Sequence, residues 1–200
     1  MARFAIAAVC GGAAGIRAEG PDNVREIRAA VRAPIIGIRK LMQSDGRVLI
    51  TPSFEDAAEL MAAGADMIAL DVTKRGQSHG ALERIKRIAD ELQTPVLADI
   101  ATIDEALAAA GAGADFVLTT MRGYTDDTAH ISEFDLPFVR ELVRESPVPV
   151  IAEGRIDTPE LARAALDAGS YAVVVGSAIT RPSTIARRFA QALSSQAEEE

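Results

Sequence analysis

One cysteine, two histidines and no tryptophan occur among the 200 residues. A lone Cys10 closes no internal disulfide and cannot complete a four-ligand zinc site, which points to a reducing compartment, the cytoplasm, and to no structural metal. It lies in an apolar helical segment and reads as a core residue. His79 and His130 stand apart in polar loops, without a neighbour at ligand spacing, and read as surface side chains. No apolar run approaches the roughly 18 residues of a membrane span, and residues 1–10 lack the basic leader and cleavage pattern of a secretory signal. Positive charge is scarce as well. The net charge is −8, no Lys/Arg cluster occurs, and the chain ends in Glu198-Glu199-Glu200. A nucleic-acid surface is excluded on that ground, because phosphate backbones need a basic patch. Neither a Gly-x-Ser-x-Gly elbow nor a His-Glu-x-x-His pair is present.

What is present is a core and a repeat. With 48% apolar and 25% charged residues, the composition suits one globular domain, expected over 1–194, followed by an acidic tail at 195–200. Short, continuously apolar runs at 14–17, 35–38, 67–71, 96–99, 116–119, 148–152 and 172–175 predict strands covered on both faces, as in parallel sheets. A further piece at 48–51 belongs to a loop excursion. Between the runs, 23–31, 54–61, 82–92, 137–144 and 159–166 mix apolar and charged positions at helical spacing. Strand entries alternate between two kinds. Gly12-Ala13-Ala14, Gly64-Ala65-Asp66, Gly113-Ala114-Asp115 and Gly169-Ser170-Tyr171 follow a helix-ending glycine. Pro34, Pro95 and Pro149 lead into the others. This two-unit βα repeat favours a (β/α)8 TIM barrel over a doubly wound sheet. A dinucleotide fold would place its glycines after the first strand, whereas Gly11-Gly12-Ala13-Ala14-Gly15 precedes one. Residues 2–9 read as a helix before the first visible strand, so the pattern predicts a barrel with its first strand missing from this chain.

Barrel sites lie at the carboxyl ends of the strands. Those ends carry Arg17, Lys40, Asp71, Asp99, Thr119 with Thr120, Glu153 with Arg155, and Ser177 with Arg181. Cations and carboxylates converging on one rim suit proton transfer on an anionic substrate, and some could instead be salt bridges that hold loops. Gly154, Gly176, Ser177 and Arg181 occupy the loops after the last two strands. In many barrels a phosphate sits there, approached by backbone amides at a helix start and by a guanidinium.

These segments resemble a known family. Gly15-Ile16-Arg17-Ala18, Pro34 through Lys40, Ile50-Thr51-Pro52-Ser53, Ile68-Ala69-Leu70-Asp71, Leu97-Ala98-Asp99-Ile100, Thr119-Thr120, Gly123-Tyr124-Thr125, Ala152-Glu153-Gly154-Arg155 and Val174 through Pro182 are similar, in order, to the N-acylglucosamine-6-phosphate 2-epimerases, also known as N-acetylmannosamine-6-phosphate 2-epimerases. The resemblance implies a ribulose-phosphate-binding type of barrel that interconverts N-acetylmannosamine 6-phosphate and N-acetylglucosamine 6-phosphate in amino-sugar and sialic-acid catabolism. It implies no redox cofactor, a small-molecule phosphosugar as partner, and compatibility with a homodimer. By that similarity Lys40 and Glu153 are the catalytic pair, and Asp99 orients sugar and lysine. Arg17, Asp71, Thr120 and Arg155 contact substrate, and Gly154, Gly176, Ser177 and Arg181 hold its phosphate. The chain departs from the family pattern at its first strand and at 74–80, where a proline-containing loop is expected.

The residue types suit the chemistry. Inversion at carbon 2 needs a base to take the proton beside an open-chain carbonyl and an acid to return one to the opposite face. A lysine and a carboxyl group can serve, and Lys40 or Arg17 could stabilise the enolate oxygen. Two rivals stay open. One is a lyase or aldolase using Lys40 as a Schiff-base nucleophile, although the Asp-x-Lys-x-x-Asp cluster of related barrels is broken by Ala101 between Asp99 and Asp104. The other is a degenerate, non-catalytic phosphosugar-binding protein.

Overall fold

A computed structural model describes residues 1–194, so the acidic segment at 195–200 lies outside the described residues. Among the described residues nine strands occur in chain order: β1 Ile16–Glu19, β2 Ile35–Ile38, β3 Lys40–Met42, β4 Val48–Ile50, β5 Met67–Asp71, β6 Val96–Asp99, β7 Phe116–Leu118, β8 Val150–Glu153 and β9 Ala172–Val174. Seven of them form one sheet in the order β1-β2-β5-β6-β7-β8-β9, with every neighbouring pair parallel. The sheet curves into a nearly closed barrel whose edges, among the described residues, are β1 and β9. Strands β3 and β4 form a separate antiparallel hairpin, so the excursion expected at 48–51 is half of a ribbon standing above the barrel rim.

Helices fill the crossovers: α1 Ala2–Cys10, α2 Pro21–Ala30, α3 Phe54–Ala62, α4 Lys74–Ser78, α5 Ala81–Arg87, α6 Ile103–Gly111, α7 Leu136–Glu145, α8 Pro159–Asp167, α9 Ser177–Thr180 and α10 Pro182–Ser194. Capping boxes start α3 (Ser53 with Asp56) and α6 (Thr102 with Glu105), each side chain meeting an amide that has no partner within the helix. Segment 82–92, expected as one helix, changes after α5 into a π turn over Ile88–Leu92.

The strand period divides the core in two. Ile68, Leu70, Val96, Ala98 and Val117 pack outward against the helices. Ala69, Leu97, Leu118 and Ile151 point inward, with Ile38 and Ile50. That parity decides where the polar strand ends go. Asp71, Asp99, Thr120 and Glu153 each lie two residues beyond an inward side chain. Arg17 lies between Ile16 and Ala18, which face the helices. The polar strand ends thus share the inward parity at the carboxyl-terminal rim.

Cys10 corrects the sequence reading. It is exposed, because α1 covers only Ala5 fully and packs on α2 beside the edge strand rather than over the middle of the sheet. His79 and His130 are surface residues as expected. Helix α10 buries none of its side chains. Among the described residues no helix is long and apolar enough to cross a membrane.

Candidate active site

The rim opens on a cavity of about 890 Å³. Its floor is a charged cluster centred on Arg17, whose side chain is only 7% exposed. The guanidinium grips Asp99 with two bonds, Nη1 to Oδ1 at 2.9 Å and Nη2 to Oδ2 at 2.7 Å. Nη1 also donates to Thr120 Oγ1 at 3.0 Å and to Glu153 Oε2. The Thr120 hydroxyl in turn donates a hydrogen bond to Asp99 Oδ1 at 2.6 Å. The side chain of Asp99 is wholly buried. Two carboxylates thus share one cation inside the barrel, where each would be costly alone.

Thr119 adds a second kind of support. Strand β7 stops at Leu118, and the Thr119 hydroxyl replaces the ladder: it accepts from Glu153 N at 2.9 Å and donates to Glu153 O at 2.8 Å. Glu153 is thereby held by its backbone as well as its carboxylate. Burial pushes the Glu153 carboxyl above its usual range, Arg17 pulls it back, and Asp99 adds to the rise. Burial would lower the Arg17 guanidinium, but Asp99 and Glu153 outweigh it and the guanidinium stays charged.

Lys40 enters the cavity wall from the start of the β3–β4 hairpin, exposed and with no ion pair among the described residues. The hairpin's base is pinned by Thr51. Its hydroxyl donates to Ala69 O at 2.6 Å on β5 and accepts from Arg39 N at 3.2 Å, while Thr51 N donates to Arg39 O at 2.6 Å. Thr51 adopts φ 47° to do so, a conformation uncommon outside glycine. Farther out, Arg47 pairs with Asp126 and Arg75 with Asp45, which ties the hairpin to the far loops across the opening.

Gly154, Gly176, Ser177 and Arg181 line the same cavity, brought together by the loops after β8 and β9. The amides that begin α9 have no partner within the helix. Asp71 is 2% exposed. Burial raises its carboxyl, while Thr73, donating N–H (2.9 Å) and O–H (2.6 Å) to Oδ1, lowers it. Arg155 spends its guanidinium on the chain: Nη1 donates to Arg122 O at 2.6 Å, Nη2 to Gly123 O at 3.2 Å, and the group stacks 4.2 Å from the Tyr124 ring centroid. It shapes the wall of the cavity rather than offering free donors. Asp99, expected to orient the lysine, is instead engaged by Arg17 and Thr120. Among the described residues no group of three or more His, Cys, Asp or Glu is placed to hold a metal ion.

Three contributors have little sequence signal. The structural roles of Thr119 and Thr51 are pairings between distant segments. Arg75 sits in the loop that departs from the family pattern; its only signal is its distance of four residues from Asp71.

The chain is similar to known proteins. Residues 1–195 match a family described as "Putative N-acetylmannosamine-6-phosphate epimerase". Proteins named "Putative N-acetylmannosamine-6-phosphate 2-epimerase" include one from Clostridium perfringens (strain SM101 / Type A), 44% identical over 96% of this chain and 88% of its own. Another, from Shouchella clausii (strain KSM-K16), is 43% identical over 96% of this chain and 87% of its own. A solved structure of the N-acetylmannosamine-6-phosphate 2-epimerase from Clostridium perfringens superposes with a TM-score of 0.87 at 41% identity, covering 95% of this chain and 83% of that one.

Proposed function

Since the chain belongs to the N-acetylmannosamine-6-phosphate epimerase family, we propose that its Lys40 and Glu153 are the two groups that move the proton at carbon 2. The reaction interconverts N-acetylmannosamine 6-phosphate and N-acetylglucosamine 6-phosphate, an isomerisation that belongs to amino-sugar and sialic-acid catabolism. The observation that carries the assignment is a pairing of unlike environments at one cavity. Lys40 is free of ion pairs among the described residues, while Glu153 is enclosed with its carboxyl raised. An amine and an enclosed carboxyl at one cavity supply the two kinds of group that an acid–base pair needs.

In the open-chain sugar the carbon-1 carbonyl acidifies the hydrogen on carbon 2. One group removes that proton, and the electron pair moves onto the carbonyl oxygen as an enolate. The other group then delivers a proton to the opposite face. One proton is taken and one is given, so none is consumed; the pair ends the turnover in the opposite protonation state and is reset by exchange with solvent, and in the reverse direction the two roles exchange. Both terminal nitrogens of Arg17 are already engaged by Asp99, Thr120 and Glu153. Arg17 therefore serves to hold the carboxylates, and Lys40 is the cation left to face the enolate oxygen. The Gly154, Gly176, Ser177 and Arg181 end of the cavity takes the phosphate, which anchors and orients the sugar away from the reacting carbon.

Incubating the enzyme with N-acetylmannosamine 6-phosphate in deuterated water tests the reading by NMR. N-acetylglucosamine 6-phosphate carrying deuterium at carbon 2 is expected, with no carbon–carbon cleavage. Cleavage products, or trapping of the substrate on Lys40 by borohydride, would replace epimerisation with Schiff-base chemistry. Glu153→Gln should lower turnover by about 100- to 10,000-fold. It should also alter stability with a definite sign. A carboxyl held above its unfolded value of 4.5 favours folding while protonated and loses that contribution as pH rises through the folded value. The variant, neutral throughout, should melt above wild type at pH 8, with the gap closing toward pH 4. Equal melting temperatures across that range would mean that Glu153 ionises without cost.

A further inference from the structure

Among the described residues, three buried polar atoms of side chains that line the cavity have no hydrogen-bond partner: Nε of Arg17, in the cluster at the floor, and, on one turn of the wall, Oδ2 of Asp71 and Nη1 of Arg75. Each belongs to a side chain whose remaining polar atoms are at least partly engaged. Asp71 Oδ1 is taken by Thr73, and Arg75 Nη2 lies 3.1 Å from Asp45 Oδ2. The two residues come from a single turn. Asp71 ends β5, Arg75 lies in α4, and the turn folds back on itself, since a Cβ on Gly76, the residue after Arg75, would fall 2.1 Å from Asp71 O. A buried acceptor and a buried donor left open at the same turn are expensive unless a ligand completes them.

Position says which part of the ligand this is. In the β2–β5 register Gly37 pairs with Ile68. Beyond that pair β2 ends at Ile38, just before Lys40, and β5 ends at Asp71, so both residues stand at the carboxyl ends of neighbouring strands. On the other side Asp71 pairs directly with Asp99. Asp71 therefore stands beside the reacting carbon and not at the phosphate end. The substituent on that carbon is an acylated nitrogen, which presents one N–H donor and one carbonyl acceptor on opposite sides of a plane. We propose that Asp71 Oδ2 accepts the substrate's amide N–H, that Arg75 Nη1 donates to its carbonyl oxygen, and that the acyl methyl rests on Val48 and Ile50 of the hairpin, which line the same cavity. The pair makes the site selective for N-acylated sugars over their 2-hydroxyl counterparts. This assignment rests on the epimerase reading and names what that reading leaves open.

Calorimetric titration of the wild-type enzyme with N-acetylmannosamine 6-phosphate and with mannose 6-phosphate supplies the test. A site built around a donor–acceptor pair should prefer the acetylated ligand by about 100-fold. Asp71→Asn and Arg75→Met should each cut that preference to less than about tenfold, with mannose 6-phosphate affinity moving less than about threefold. Arg75 is 26% exposed in its side chain, so its variant is expected to fold and decides the matter if Asp71→Asn does not. Equal wild-type affinity for the two ligands, or an Arg75→Met enzyme with an unchanged preference or an equal loss for both, overturns the assignment. The deuterium experiment separates the two levels. A wild type that labels carbon 2 but shows no acyl preference refutes only the acyl site, and one that labels nothing refutes the epimerase reading.

Discussion

Lys40→Ala is expected to lower turnover of N-acetylmannosamine 6-phosphate by about 1,000-fold, the usual reach of a positioned acid or base, with little change in melting temperature. The stability half follows from its setting. Lys40 is exposed and makes no ion pair among the described residues, and surface substitutions of that kind stay within about 0.5 kcal/mol. Lys40→Arg separates charge from proton transfer. A guanidinium keeps the cation but does not release its proton near neutrality, so it should be nearly as inactive as alanine. Deuterium exchange at carbon 2 should vanish in both. Recovery of near-normal turnover by arginine would mean that Lys40 acts as a fixed charge and that another group takes the proton.

Arg17→Met should give the largest loss of stability. It removes the only cation in hydrogen-bonding contact with Asp99 and Glu153 among the described residues and leaves two carboxylates facing each other, one of them wholly buried. Breaking a buried pair from one side costs about 3–5 kcal/mol, readable as a displaced midpoint in urea. Adding Asp99→Asn should restore part of that loss by removing one stranded charge, while activity stays absent because Glu153 has lost its anchor. Such a partial rescue distinguishes electrostatic stranding from a packing defect. An Arg17→Met enzyme as stable as wild type would mean that the carboxylates take up protons on losing the cation.

The seven sheet strands were readable because a parallel barrel strand is apolar on both faces, and each apolar run falls on or beside a strand. Boundaries slipped where that rule lapses. Run 14–17 ends at its first charge, yet β1 runs through Ile16–Glu19, because an inward charge is tolerated at the rim when it has partners. Run 116–119 overshoots β7 for the converse reason: Thr119 looks strand-like but leaves the ladder to bind Glu153 with its hydroxyl. The rim residues were readable as charges at strand ends. Their division of labour was not. Arg17 and Arg155 look alike in sequence as candidate substrate contacts, and only the fold shows the first clamping carboxylates and the second holding the carbonyls of Arg122 and Gly123. Cys10 misled because an apolar helix beside an edge strand has little to bury against.

The bonds from Arg17 cross 82 residues to Asp99, 103 to Thr120 and 136 to Glu153. The first can close only when half of the chain has been made, and the set is complete only when β6, β7 and β8 have all come round to meet β1. Loops of that length make such contacts late, slow events in folding. Until then two acids are collapsing into a core without their counterion. The catalytic floor is therefore also the clasp of the fold, and a partly assembled barrel is inactive for the same reason that it is unstable.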